Sequence, residues 1–156
     1  MLPFGLGCAA IVIAIDQLSK WLILTEVMNP PRVIEITGFL NLVLVSNKGV
    51  SFGLFSSDAV WVQPAFASLA VLVSIFLGCW MRKAENRFLA LSLGLVIVGA
   101  LGNAIDRLWH GAVVDFLDFH AAGYHWPAFN IADSAITVGV IFIIGEGLFA
   151  GPKQTK

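Results

Sequence analysis

Four long apolar stretches constrain the fold of this chain more strongly than any other feature of its sequence. They cover roughly residues 2–24, 60–81, 88–108 and 131–149. A helix of about 20 apolar residues spans the hydrocarbon core of a bilayer, so each stretch is long enough to cross it. Four strands cannot close a barrel, and open sheet edges are not tolerated in lipid. The stretches are therefore predicted to be transmembrane helices.

The composition supports this interpretation. Hydrophobic residues make up 58% of the 156 residues and charged residues only 12%, and the mean hydropathy is +0.88. A water-soluble domain does not need so many apolar residues. We predict a single integral membrane domain over residues 1–156, an all-α transmembrane four-helix bundle with a small β-containing surface segment. The net charge of −1 offers no basic patch for nucleic acid.

The basic residues predict the orientation of this bundle. They are concentrated in the short loop between the second and third stretches and in the C-terminal tail, and cytoplasmic loops carry such an excess. Both termini and the short loop are therefore predicted to be cytoplasmic, with residues 25–59 and 109–130 on the outer, periplasmic side. The basic residues concerned are Arg82, Lys83, Arg87, Lys153 and Lys156.

The two outer segments differ in character. Residues 33–45 read VIEITGFLNLVLV, and this run of β-branched and apolar residues predicts short strands at the membrane surface. Residues 109–130 contain three histidines, but their spacing matches no helical pair of metal ligands, and the sequence has no HExxH motif. Neither a metal nor another cofactor is predicted.

Charged residues within the apolar stretches need an explanation. Asp16 and Lys20 are four residues apart, which places them on one helix face as an ion pair with a structural role. Asp106, near the end of the third stretch, opposes the helix dipole and needs a cation, which its neighbour Arg107 could supply. Arg107 could instead bind a lipid phosphate or position a substrate, and these roles are left open.

The start of the fourth stretch combines a helix cap with a candidate acid. Asn130 is a good N-cap, and Asp133, three residues later, resembles the acidic partner of a capping box. Asp115 lies in the segment that returns from the third stretch to the fourth, and it could reach Asp133. Two carboxylates at one site share a proton, which is the chemistry of an aspartic protease. The spacing alone leaves capping and catalysis both open.

Five short motifs occur in order along the chain. They are Asp16–Lys20 (DQLSK), Asn47–Phe52 (NKGVSF), Gly102–Arg107 (GNAIDR), Val113–Phe116 (VVDF) and Phe129–Ser134 (FNIADS). In this order, and on four apolar stretches, the motifs resemble those of the bacterial lipoprotein signal peptidases, also called signal peptidase II.

This resemblance implies a function and a set of site residues. The catalytic aspartates of the family correspond to Asp115 and Asp133, which would activate a water. The substrate would be a prolipoprotein whose cysteine carries a diacylglyceryl group, and the cut before that cysteine would release the signal peptide. The enzyme would work as a monomer among the lipids of the bacterial inner membrane. Substrate-positioning or dyad-supporting roles are implied for Asn47, Asn103, Arg107 and Asn130, and structural roles for Asp16 and Asp106.

Two other classes of protein would also span a membrane four times. A carboxylate-relay ion or proton transporter would need acids distributed through the membrane depth, whereas Asp106, Asp115, Asp118 and Asp133 are predicted on one side. A non-catalytic assembly subunit would explain the spans but not this polar cluster. A cleavage assay, combined with titration of the acids, distinguishes these classes.

Overall fold

The computed structural model describes residues 2–49 and 59–149. In this part of the chain, four helices coincide with the apolar stretches, and each is long and apolar enough to cross a membrane. Residues 50–52 of the second motif and the basic residues Lys153 and Lys156 lie outside the described residues. The helices are α1 (Leu2–Leu22, continued by a π-helical turn, Ile23–Val27), α2 (Val62–Arg82), α3 (Arg87–His110) and α4 (Ile131–Phe149).

The two longer connections pair with each other in one antiparallel sheet. Its strands are β1 (Ile34–Thr37), β2 (Leu40–Asn47), β3 (Val113–Ala121) and β4 (Tyr124–His125), in the order β1-β2-β3-β4. The prediction of an all-α bundle was therefore too narrow. The strand-forming run predicted in the first connection is present, but it finds its partner β3 in the second connection, where no strand was firmly predicted.

Helix α3 is the centre of the bundle. It packs against α1, α2 and α4, whereas those three helices contact one another much less. It is accordingly the most buried of the four apolar helices. One apolar core lies between α2 and α3, around Leu93 and Met81, and another lies beneath the sheet, around Met28 and Phe116. The sheet thus covers the end of the bundle where α1 and α3 finish and α2 and α4 begin.

The end of α3 places the following strand directly over the bundle. Gly111 follows the helix with φ 71°, in the left-handed region that favours glycine, and its backbone N–H donates to the Arg107 carbonyl oxygen. The chain therefore turns back within two residues and enters β3. The backbone N–H of Val114 then donates to Asp106 Oδ2 at 3.2 Å, which ties the new strand to the helix it has just left.

Glycine allows α3 and α4 to approach closely. A Cβ at Gly99 would contact the backbone carbonyl oxygen of Ala132 and the side chain of Ile136. Gly99→Ala is therefore expected to lower the free energy of unfolding by about 1–3 kcal/mol, because backbone cannot move aside as a side chain does. Thermal unfolding in detergent measures the loss.

A matched control for this substitution lies on α2. A Cβ at Gly78 would meet nothing within 4 Å, so Gly78→Ala should leave the melting temperature unchanged or raise it slightly. Equal effects of the two substitutions would contradict the close packing of α3 against α4.

Candidate active site

A largely buried polar cluster lies where α1 and the end of α3 meet the start of α4 and the strands β2 and β3. Its members come from all these elements, and amide side chains alternate with carboxylates. The residues are Asp16, Gln17, Lys20, Asn47, Asn103, Asp106, Asp115, Asn130 and Asp133.

Lys20 is the cation at the base of this cluster. Only 2% of its surface is exposed, and its ammonium nitrogen lies 2.8 Å from Asp16 Oδ2 and 2.7 Å from Asp106 Oδ2. Gln17 Nε2 donates to both carboxylates at 3.1 Å. The cation that Asp106 needs is therefore Lys20 of another helix, and not its sequence neighbour Arg107.

The two carboxylates paired with Lys20 also accept backbone hydrogen bonds from other elements. The N–H of Ala132, in the first turn of α4, donates to Asp16 Oδ1 at 2.8 Å. This N–H is one of those that a helix start leaves without an intrahelical partner. Asp106 accepts the Val114 N–H in the same way. The ion-pair cluster thus fixes the start of α4 and the start of β3 against α1 and α3.

Asn130 and Asp133 form a reciprocal capping box at the start of α4. The Asp133 N–H donates to Asn130 Oδ1 at 2.9 Å, and the Asn130 N–H donates to Asp133 Oδ2 at 3.3 Å. Asn130 is fully buried. The cap satisfies two backbone donors and holds the Asp133 side chain in one orientation.

The Asn130 side chain also reaches Asp115. Its Nδ2 donates to Asp115 Oδ1 at 2.7 Å, while Asn47 Nδ2 donates to Asp115 Oδ2 at 3.0 Å. Asp115 is only 1% exposed, and Asp133 is more open to solvent. Asn130 therefore contacts both Asp115 and Asp133, and the structure brings together the two acids singled out from the sequence.

Asn103 holds the other side of Asp133. Its Nδ2 donates to Asp133 Oδ1 at 2.7 Å. Its Oδ1 accepts from Lys20 Nζ at 3.3 Å and from Asn130 Nδ2 at 3.2 Å. Because those two donors require an oxygen, the amide nitrogen must face Asp133. Lys20 thus helps to orient the Asn103 amide, which donates to Asp133.

The surroundings of Asp115 perturb its ionisation. Burial raises the pKa of Asp115 to about 7, and the nearby charge of Asp133 acts in the same direction. Hydrogen bonds from Asn47 and Asn130, and the charge of Lys20, oppose this rise. A carboxyl group with such a pKa is present in both protonation states near neutral pH, which suits a proton donor or acceptor. Because the charge of each carboxylate affects the other, Asp115 and Asp133 titrate as a coupled pair.

Arg107 lies beside the pair without donating to either carboxylate. Its Nη2 donates to the Gly49 carbonyl oxygen at 3.0 Å, and Nη1 donates to the Asn103 carbonyl oxygen at 3.4 Å. The guanidinium also lies 5.3 Å from the centre of the Phe66 ring. Its charge nevertheless acts on Asp133, Asp115 and Asp106.

Asp118 belongs to a separate group on the sheet. His125 Nδ1 lies 2.9 Å from both of its carboxylate oxygens, and Asn41 Nδ2 donates to it at 3.1 Å. Burial acts to raise the pKa of Asp118, but the hydrogen bonds from His125 and Asn41 keep it below the usual value. The ring of His120 stacks on His125 at 5.1 Å. Within the described part of the chain, no group of three or more histidine, cysteine, aspartate or glutamate residues is arranged to hold a metal ion.

Two polar residues in or near this region were not singled out from the sequence. Gln17 lies in the first motif, where no role was predicted for it, yet its side chain donates to Asp16 and Asp106. Gln63, at the start of α2, donates to the Lys48 carbonyl oxygen at 2.7 Å. In both cases the available signal was a long polar side chain inside an apolar helix, where an unsatisfied amide is costly.

Comparisons with known proteins show what this chain is similar to. The model of the family described as signal peptidase (SPase) II matches residues 8–149. A lipoprotein signal peptidase of Azoarcus sp. (strain BH72) is 47% identical over 157 residues, covering 100% of this chain and 88% of that protein. A lipoprotein signal peptidase of Burkholderia vietnamiensis is 47% identical over 145 residues, covering 92% and 86%.

Solved structures show the same fold. One, a bacterial membrane enzyme determined by the in meso method at 2.3 Å resolution, has a TM-score of 0.82 and 33% sequence identity. The alignment covers 97% of this chain and 93% of that one. A second bacterial membrane enzyme, at 1.9 Å resolution, gives a TM-score of 0.77 at 35% identity, with 97% and 94% covered.

Proposed function

Because the chain belongs to the signal peptidase II family, aspartic peptidases that remove signal peptides from lipoproteins, we propose that Asp115 and Asp133 are its catalytic pair. The family membership confirms the resemblance that the five sequence motifs indicated. The observation that carries the proposal is the position of Asn130, which donates hydrogen bonds to both carboxylates. One buried residue thereby holds two acids at one site, Asp133 through its backbone N–H and Asp115 through its side-chain amide.

The proposed reaction begins with one proton on the pair. Asp133, ionised, takes a proton from a water molecule, and the oxygen of that water attacks the carbonyl carbon of the residue before the lipid-bearing cysteine. Asp115 gives its proton to the carbonyl oxygen, so a neutral tetrahedral diol forms. Asp115 is suited to this step because its raised pKa leaves it protonated in part of the molecules near neutral pH.

The second half of the reaction returns both protons. Asp133 donates its newly acquired proton to the cysteine nitrogen, and the carbon–nitrogen bond breaks. Asp115 recovers a proton from the diol, which becomes the carboxyl group of the released signal peptide. The pair is then back in its starting state, with one proton on two carboxylates. Asn47, Asn103 and Asn130 would hold the two carboxylates in place throughout.

The remaining polar residues receive supporting roles. Arg107 would position the substrate or stabilise negative charge, since it lies beside the pair and its charge acts on both acids. Asp16, Lys20 and Asp106 would be structural, because their mutual contacts fix the start of α4 and β3.

The proposed orientation places this site near the outer, periplasmic face of the inner membrane. The aromatic side chains of Trp109, Tyr124 and Trp126 are largely exposed close to the sheet, as is common where a protein meets the lipid headgroups. Arg82 and Lys83 lie at the opposite end of α2 and favour a cytoplasmic location for that end. A diacylglyceryl-modified prolipoprotein could then reach the pair by lateral diffusion, and a monomer in the lipid bilayer would contain the whole site.

The pKa of Asp115 leads to a testable pH dependence. The proposed reaction needs Asp115 protonated, so kcat/KM should fall as the pH rises through about 7. Well above that value the fall should approach about tenfold per pH unit, because each unit removes nine-tenths of the remaining acid form. Bound substrate excludes water and should move the same limb of kcat to higher pH.

Initial rates on a diacylglyceryl-modified prolipoprotein peptide between pH 5 and pH 9 measure this dependence. Mass spectrometry of the products should show a new N-terminal cysteine that still carries its lipid. A kcat/KM that stays level or rises from pH 7 to pH 9 would be evidence against Asp115 as the acid.

A further inference from the structure

The backbone at the end of β2 is held by side chains from two helices. Gln63, in the first turn of α2, donates from Nε2 to the Lys48 carbonyl oxygen at 2.7 Å. Arg107, near the end of α3, donates to the Gly49 carbonyl oxygen at 3.0 Å. The Gly49 N–H donates in turn to Asn47 Oδ1 at 3.0 Å. Residues 47–49 are therefore held by two side chains from outside the segment and by one hydrogen bond within it.

The position of these three residues determines how Asn47 meets Asp115. Since Asn47 Oδ1 accepts the Gly49 N–H, its amide nitrogen must point the other way, and it donates to Asp115 Oδ2. A displacement of the backbone at Lys48 would carry the Asn47 side chain with it. The hydrogen bond at Asp115 thus depends on contacts made one and two residues further along the chain.

Gln63 has a position that packing alone does not explain. It is 8% exposed at the start of an apolar helix, where a long amide side chain is costly to bury. Its Oε1 has no hydrogen-bond partner in the part of the chain that the structure describes. Among those residues, the Lys48 carbonyl oxygen is the partner that Gln63 holds through its side chain. A residue that is buried at such a cost for one hydrogen bond is expected to fix the position of the group it binds, here the Lys48 backbone carbonyl.

We propose that Gln63 is a positioning residue of the catalytic pair, which acts through the Lys48 carbonyl and the Asn47 amide on Asp115. The proposal rests on the proposed function of Asp115 and Asp133. The start of α2 contributes none of the groups that touch the two carboxylates. Through Gln63 it would nevertheless help to position Asp115.

The proposal predicts a change in the titration of Asp115. The hydrogen bond from Asn47 lowers the pKa of Asp115, against the effects of burial and of the Asp133 charge. The other charged groups acting on Asp115 are Lys20 of α1 and Arg107 of α3. In the part of the chain that the structure describes, the Gln63 side chain is hydrogen-bonded to the Lys48 carbonyl and to neither of these cations. Loosening Asn47 therefore raises the pKa of Asp115 further, and Asp115 keeps its proton to higher pH.

Gln63→Met tests this chain of contacts in the full-length protein in detergent. Methionine keeps the length of the side chain but has no donor for the Lys48 carbonyl. The alkaline limb of kcat/KM should move to higher pH by roughly half a unit or more, while kcat/KM at pH 6 falls several-fold because Asp115 is less well placed. The same shift should appear in the titration of Asp115 followed by NMR of ¹³C-labelled aspartate carboxyl groups.

Two further variants separate positioning from a general structural role. Asn47→Ala should shift the titration in the same direction as Gln63→Met and at least as far, and the double variant should shift it no further than Asn47→Ala alone. Ser74→Ala removes a different buried polar group of α2, a hydroxyl that donates within its own helix to the Ala70 carbonyl oxygen, and should leave the titration unchanged. Gln63→Asn, too short to reach Lys48, should reproduce the shift even if Gln63→Met folds poorly.

An Asp115 titration that is unchanged in both folded Gln63 variants would overturn the proposal, as would shifts that add fully to that of Asn47→Ala. The NMR readout does not depend on cleavage. Failure of this inference would appear as an unchanged Asp115 titration. Failure of the proposed function would instead appear as cleavage of the substrate by Asp115→Asn or Asp133→Asn.

Discussion

Asp115→Asn and Asp133→Asn are each expected to lower the cleavage rate by at least about 1,000-fold. A carboxamide at position 133 can neither take a proton from water nor pass it to the leaving amine, and one at position 115 cannot protonate the carbonyl oxygen. The loss should appear in kcat, since the proton transfers occur after the substrate is bound. Single-turnover cleavage of a diacylglyceryl-modified prolipoprotein by each purified variant measures it.

The control for these substitutions lies on the same strand. Asp118 is also buried, but its partners are Asn41 and His125 rather than the catalytic pair. Asp118→Asn should therefore keep cleavage within a few-fold of the wild type. Asparagine at position 133 still offers an oxygen to the start of α4, so thermal unfolding should show that this variant remains folded.

Lys20→Met is expected to have the largest effect on stability. Lys20 is buried between Asp16 and Asp106, at 2.8 and 2.7 Å, and its loss leaves two buried carboxylates without their cation. Removing one partner of a buried ion pair typically lowers the free energy of unfolding by about 3–5 kcal/mol. Thermal unfolding in detergent and the yield of folded protein in membranes measure the loss.

A second substitution tests the electrostatic cause of that loss. In Lys20→Met/Asp106→Asn, one of the two carboxylates is neutralised, and the asparagine oxygen can still accept the Val114 N–H. The double variant should therefore be more stable than Lys20→Met alone. If the second substitution instead lowers stability further, packing of the Lys20 side chain, and not charge balance, explains the effect.

Features that depend on a few neighbouring residues could be predicted from the sequence. The four helices follow from the length of the apolar stretches, and the capping box follows from the three-residue spacing between Asn130 and Asp133. The pairing of Asp16 with Lys20 likewise follows from the four-residue spacing on one helix face. Such contacts depend on helix periodicity, which the chain shows directly.

Contacts between distant segments could not be predicted in this way. Asp16 accepts the N–H of Ala132, 116 residues further along the chain, and Lys20 pairs with Asp106 of α3. These contacts depend on how α1, α3 and α4 pack, which the spacing of charges does not determine. For the same reason Arg107 was considered as the partner of Asp106, because sequence proximity was the available guide.

The pairing of the strands in the sheet could likewise not be predicted from the sequence. The apolar, β-branched run in the first connection predicted short strands, but not their partner. That partner is β3, which carries Asp115 and pairs with β2 so that Val45 lies opposite Asp115. The pairing of two loops far apart in sequence is what brings Asn47 and Asp115 together, and nothing in either loop alone indicates it.

The most direct test of a two-carboxylate mechanism is single-turnover cleavage in proteoliposomes by the wild type, Asp115→Asn, Asp133→Asn and the Asp118→Asn control, with equal amounts of folded protein. We expect cleavage before the lipid-bearing cysteine by the wild type and Asp118→Asn, and loss of at least about 1,000-fold in each of the other two. Cleavage at a near wild-type rate by folded Asp115→Asn or Asp133→Asn would contradict the catalytic role of that carboxylate, and with it the mechanism.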